Sequence, residues 1–97
     1  MELEFHPAAS DEVESAHEWY SDRSPIAANR FLEELDVAMA GIQSSPNCGS
    51  PYLHSTRCYL LRRFPYLVVY RLGNQAIQVV AVAHGRRRPG YWKDRKF

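Results

Sequence analysis

Cysteine is scarce in this sequence: Cys48 and Cys58 are its only two, ten positions apart. A structural zinc site usually needs four ligands in tight pairs, and a small secreted disulfide scaffold carries more thiols. Both therefore read as reduced thiols of a cytoplasmic protein, with Cys58 a small core residue of a strand. Long apolar runs are missing too. Arg63, Pro65 and Arg71 interrupt the greasiest part, which falls short of the ~20 residues needed to span a bilayer. The first residues, Met1-Glu2-Leu3-Glu4-Phe5, are acidic and strand-like, without a basic then apolar leader, so secretion has no support. There are no internal repeats or low-complexity tracts. No glycine loop suited to phosphate and no Ser-His-Asp pattern stands out. His6, His17 and His54 show no clustering that suggests metal, so the expectation is no metal and no small-molecule cofactor.

Each half of the chain also lacks charge of one sign. Residues 1–50 hold two basic side chains, Arg23 and Arg30, against ten acidic ones, a balance of −8. Residues 51–97 hold ten basic side chains and one acidic one, Asp94, a balance of +9, and the two sum to the net +1. Such asymmetry points to a polyanion or an acidic protein meeting the C-terminal half. Neutralisation of one half by the other is the plainer reading, but it leaves the consecutive Arg86, Arg87 and Arg88 unexplained.

What is present suits one domain spanning residues 1–97. Glu2 to Phe5 alternates polar and apolar residues, as a short strand does. Pro7 can open a helix on which Ala9, Val13, Ala16 and Tyr20 form one stripe, with Trp19 at its margin and Asp11, Glu12, Glu14 and Glu18 outward. Ser21 to Pro25 is a break in which Ser24 is the candidate N-cap and Pro25 the first residue of a second helix, running to about Gln43. Its apolar face carries Ala28, Phe31, Leu35, Ala38 or Met39, and Ile42. Ser44 to Pro51 reads as a loop. Three β-rich runs follow, Arg57–Phe64, Tyr66–Arg71 and Ala76–Ala83, with Gly73-Asn74 as a hairpin turn of positive φ. The order is β-α-α-β-β-β: a helical hairpin packed on a small antiparallel-rich sheet, an α+β domain.

Alternation divides the last strand into Ile77, Val79, Ala81, Ala83 and Gln78, Val80, Val82, His84, both largely apolar. One face takes the helices, and the other offers an apolar groove to a partner's helix or strand. His84-Gly85-Arg86-Arg87-Arg88-Pro89-Gly90-Tyr91-Trp92 is the strongest functional signal. Adjacent guanidinium groups repel, so they stay where an anion gathers them or water screens them. Tyr91 and Trp92 suit stacking or interface anchoring, while Trp92 is equally suited to folding back as a plug on the sheet. His84 has the chemistry of a general acid or base, and also that of a strand-end histidine bonded to backbone.

The whole chain resembles the RelE/ParE superfamily of toxins from bacterial type II toxin–antitoxin systems. The resemblance rests on Glu4 to Ala9 entering the first helix, Trp19-Tyr20 closing it, and Ala28 with Phe31 in the second. It rests also on Arg57 opening the meander, on Phe64-Pro65-Tyr66 through Arg71, and on Val82 to Arg87 with Tyr91-Trp92 behind. RelE-type members are ribosome-dependent mRNA endonucleases that work through a basic cluster on the sheet. Here no lysine lies between Cys58 and Ala83, and Leu67 stands where the ribonucleases generally place arginine. Leucine cannot stabilise a pentacoordinate phosphate. Phe64-Pro65-Tyr66 and His84-Gly85-Arg86-Arg87 look closer to the ParE branch, whose members poison DNA gyrase and perform no chemistry of their own.

The resemblance thus implies a gyrase inhibitor and a cognate ParD-like antitoxin. That antitoxin's N-terminal part binds operator DNA, and its acidic C-terminal segment lies along the helix pair and open groove. Target- or antitoxin-binding candidates are Arg57, Arg62, Arg63, Arg71, Arg86, Arg87, Arg88, Tyr91 and Trp92. For the alternative ribonuclease the candidates are Arg57, Arg63, His84, Arg86 and Tyr91. A third alternative is a non-toxic adaptor whose arginines only bind an acidic partner.

Overall fold

The computed structural model describes residues 1–97. Strand β1 (Glu2–Phe5) leads into helices α1 (Pro7–Ser21) and α2 (Pro25–Ser44). Then come β2 (Ser50–Tyr52), a short 3-10 turn (Leu53–Ser55), β3 (Thr56–Leu60), β4 (Tyr66–Leu72) and β5 (Ala76–His84). The five strands form one sheet in the order β1-β5-β4-β3-β2. β1 runs parallel to β5, and the other neighbours are antiparallel. Both helices begin as their sequences demand. Ser24 Oγ accepts from the Ala27 N–H at 3.2 Å ahead of Pro25, and His6 Nδ1 caps α1 by accepting from Ala8 at 3.0 Å ahead of Pro7.

The helices lie on one face of the sheet. Ala9, Leu35, Met39 and Ile42 pack there on Val68, Tyr70, Ile77, Val79 and Val82. A second cluster joins Ala16, Phe31, Ala38 and Leu61. Phe31 is fully buried, with the rings of Tyr20, Phe64 and Tyr66 at 5.4, 5.5 and 5.4 Å. Tyr70 reaches out of this core to hold the connection after α2: its hydroxyl donates to Pro46 O at 2.7 Å and accepts from the Gly49 N–H at 2.9 Å.

Five sequence expectations need correction. The Ser44–Pro51 stretch is not wholly loop, because Ser50, Pro51 and Tyr52 pair with Cys58, Arg57 and Thr56. Pro51 fits a strand because β2 is the sheet edge, where a missing N–H costs nothing. β3 stops at Leu60 rather than Phe64. Glu34 of α2 then accepts from the backbone N–H groups of Arg62 and Arg63, the latter at 3.0 Å, so a carboxylate replaces the ladder. The β4–β5 turn has no positive φ at Gly73 or Asn74. Three residues, Gly73 to Gln75, make the connection, and the Gly73 N–H donates to Ala76 O at 2.8 Å. Glycine matters there for space: a Cβ would lie 3.1 Å from Ala76 O and from the Gln78 side chain.

The fourth correction bears on function. Val69 pairs with Ala81, but Tyr70 pairs with Val79, so Val80 is bulged out of register. A bulge shifts the alternation by one residue. Val79 and Val82 therefore share the helix face, while Val80 and Ala81 both join the outer one. Val79 to Ala83 are all apolar, so no change of pattern marks the bulge. Nor is the outer face an open groove. Trp92, only 2% exposed, lies on Val69, Val80 and Ala81. The tail covers the ground on which a partner's helix or strand was expected.

Candidate functional site

β5 ends at His84, whose ring meets Tyr66 edge-on at 5.1 Å and whose Nδ1 accepts from the Arg86 N–H at 3.0 Å. This strand-end histidine is bonded to backbone. The chain then turns twice, with Gly85 N–H donating to Pro65 O at 2.7 Å, Arg87 N–H to His84 O at 2.9 Å and Tyr91 N–H to Arg88 O at 3.2 Å. Gly90 sits inside the second turn, one residue before Tyr91, at φ +81°, a left-handed value costly to residues with a Cβ. Arg86, Arg87 and Arg88 are all exposed on this turn. None is ion-paired, since the one salt bridge in the protein joins Arg95 to Glu12. Arg87 lies over the Tyr91 ring with its guanidinium carbon 3.8 Å from the centroid.

The other candidate residues go elsewhere. Arg62 and Arg63 are exposed on a separate groove of about 460 Å³ between α2 and the β3–β4 connection, beside Arg30, Val37 and Leu60. Arg57 is committed internally, donating to Asn47 O at 3.2 Å and Gly49 O at 2.6 Å. Arg71 donates to Gln78 Oε1 at 2.8 Å and lies 5.2 Å from the Phe97 ring. Trp92 is interior, 5.8 Å from His54 and 6.0 Å from Tyr52 between ring centres, and has no surface to offer. Of the ribonuclease set, His84, Arg86 and Tyr91 share one end of the molecule. Arg57 pairs with Tyr70, whereas His84 pairs with Tyr66. Four residues of β4, about 13 Å of strand, separate those two levels.

Glu12 and Arg95 escaped the sequence reading, which set Glu12 among outward carboxylates. Their side chains are only 14% and 18% exposed. Glu12 Oε1 accepts from Arg95 Nη1 at 2.9 Å and from the Val82 N–H at 3.0 Å. Its Oε2 accepts from Arg95 Nη2 at 3.0 Å and from the Tyr91 hydroxyl. The helical period of α1 sets Glu12 three residues after buried Ala9 and four before buried Ala16, at the edge of the buried stripe, but no local pattern announces a partner 83 positions away.

Burial pushes the Tyr91 hydroxyl well above its ordinary value, helped by its hydrogen bond to Glu12 and by that carboxylate's charge. Burial also raises Tyr20, Tyr66 and Tyr70. The folded state thus keeps protons that the unfolded chain releases above about pH 10. Their stabilising effect is complete below that pH and lost as pH rises through the folded-state values. The urea midpoint is therefore expected to fall as pH climbs past about 10, less steeply in Tyr91→Phe. Identical slopes for the two proteins would show that Tyr91 holds no such proton.

A helical hairpin braced on a mixed sheet, with a cationic turn leaving the last strand, defines an α+β domain that presents charge beside a fixed aromatic ring. Comparison with known proteins makes the class specific. The profile of the family described as ParE toxin of type II toxin-antitoxin system, parDE, matches residues 3–89. Toxin ParE2 of Mycobacterium tuberculosis, from strains CDC 1551 / Oshkosh and H37Rv, is 32% identical over 88 residues, covering 90% of this chain and 84% of the relative. A chromosomal ParDE toxin–antitoxin system from P. aeruginosa shares the fold, with a TM-score of 0.75 at 18% identity over 87% of this chain and 95% of that one. The chain belongs to the ParE toxin family and is the toxin component of a type II toxin–antitoxin system. No helix is long and apolar enough to cross a membrane.

Proposed function

We propose that this toxin acts in the cytoplasm by binding and inhibiting DNA gyrase, without chemistry of its own, and that a cognate ParD-like antitoxin neutralises it. The observation that carries this reading is the turn bearing Arg86, Arg87 and Arg88. Its guanidinium groups are exposed and unpaired, yet the turn hangs between the end of β5 and the buried Trp92. A fixed cationic loop suits recognition of an anionic macromolecular surface, because little ordering entropy remains to be lost on binding.

The antitoxin's acidic, amphipathic C-terminal segment finds a suitable bed on the helical side, its N-terminal part being left to bind DNA. A groove of about 450 Å³ there is lined by Leu3, Phe5, Val13, Leu32, Leu35 and Met39, together with Ser10 and Asp36. Ile26 and Val37 stand exposed on α2. Apolar anchors spaced along a helix fit such a surface. Arg62 and Arg63 line the separate groove on the other flank of α2, where carboxylates of a segment crossing that helix would meet them.

Supercoiling assays with purified gyrase test the proposal. Wild-type toxin is expected to inhibit, and Arg86→Ala with Arg87→Ala to weaken inhibition at least tenfold. The thermal midpoint should move by only a few degrees, because exposed unpaired charge contributes little to stability. Codon-register cuts in ribosome-bound mRNA, lost in Arg86→Ala or Tyr91→Phe, would instead establish the ribonuclease. Absence of growth arrest on expression alone would favour the adaptor.

A further inference from the structure

β1 pairs with β5 only as far as Phe5 opposite Val79, and the His6 N–H closes that ladder on Val79 O at 3.0 Å. Past this point β5 has no strand beside it on that side, and the bulge at Val80 falls in this open stretch. Unpaired backbone groups there need partners. Glu12 and Arg95 supply them: Glu12 accepts from the Val82 N–H, and Arg95 Nη1 donates to Val80 O at 3.0 Å. The two side chains stand in for the missing strand while pairing with each other through both carboxylate oxygens.

We propose that Glu12 is a positioning residue for the toxin's basic turn. It holds the C-terminal segment against β5 and thereby sets the direction in which Arg87 and its neighbours are presented. The inference rests on the reading that this turn meets the target. The link is direct: Glu12 fixes the Tyr91 hydroxyl, Tyr91 carries Arg87 on its ring at 3.8 Å, and Arg95 lies 5.2 Å from the same ring. Four donors converge on one carboxylate, two from the tail's Arg95, one from its Tyr91 and one from β5. A carboxylate accepts all four. A glutamine of the same shape offers one accepting oxygen and turns an NH2 group toward donors.

Full-length wild-type, Glu12→Gln and Ile42→Val proteins decide the matter. Ile42 is fully buried between α2 and the sheet, so its truncation lowers stability without touching the tail. Glu12→Gln is expected to speed amide exchange across residues 85–97 at least tenfold while β4 stays protected. It should also raise acrylamide quenching of Trp92 in a Trp19→Phe background and cut growth-arrest potency at least tenfold. Ile42→Val should lose melting temperature but keep potency. Unchanged exchange in residues 85–97, or potency loss matching that of Ile42→Val, would overturn the proposal by reducing Glu12 to a general stabiliser. Wild-type gyrase assays run alongside keep the two ideas apart. Their failure strikes the target assignment, whereas exchange and growth arrest presuppose no particular target.

Discussion

Trp92→Ala is expected to destabilise the protein by about 3–5 kcal/mol, the usual range for truncating a buried aromatic residue. Trp92 is 2% exposed and fills the outer face of the sheet over Val69, Val80 and Ala81. Its removal would open that face to water and loosen the tail, leaving Tyr91, Arg95 and Phe97 as its side-chain anchors. Because a domain of this size holds only about 5–15 kcal/mol in all, much of the population would unfold well below the wild-type midpoint. Urea denaturation measures the loss. Toxicity per folded molecule should fall as well, since the basic turn loses its second anchor. A loss under about 1 kcal/mol would mean that the sheet tolerates an uncovered face and that Trp92 is ornamental.

Phe31→Ala is expected to cost a similar amount, about 3–5 kcal/mol, with a different functional signature. Phe31 has no exposed surface, and three aromatic rings surround it from the end of α1, the β3–β4 connection and the start of β4. No smaller side chain can hold those rings together, and they cannot all collapse into the vacancy. Yet the cavity lies on the helix side, on the opposite face of the sheet from Trp92, and only Tyr66 links it to His84 at the base of the turn. At a temperature where the variant is still folded, activity per folded molecule should match wild type. If Phe31→Ala silenced the folded protein as Trp92→Ala does, the two faces of the sheet would be coupled and the basic turn would not be held locally.

These contrasting outcomes follow from features of unequal visibility in the chain. The helices were legible because Pro7 and Pro25 open them, Ser24 caps one, and the stripes Ala9 to Tyr20 and Ala28 to Ile42 keep helical period. β4 was legible from its β-branched and aromatic run between Pro65 and Gly73. The basic turn announced itself through three consecutive arginines. Its closeness to Tyr91 was visible from proximity in sequence, but the internal engagement of Arg57 and Arg71 was not. Both serve carbonyl or amide oxygens of nearby segments, and arginine looks the same in sequence whether it serves a loop or a partner.

Composition, periodicity and turn chemistry alone determined that this protein is an α+β domain with an acidic front half and a cationic end, and its motifs in order resemble those of ParE toxins. Those properties are local, so a one-dimensional reading reaches them. Only the tertiary structure decided that β5 bulges at Val80, that Trp92 closes the outer face, and that Glu12 clasps Tyr91 and Arg95. The clasp depends on which backbone groups of β5 were left unpaired when β1 ended after four residues. That vacancy exists only once the strands have assembled, and the side chains that fill it come from opposite ends of the sequence.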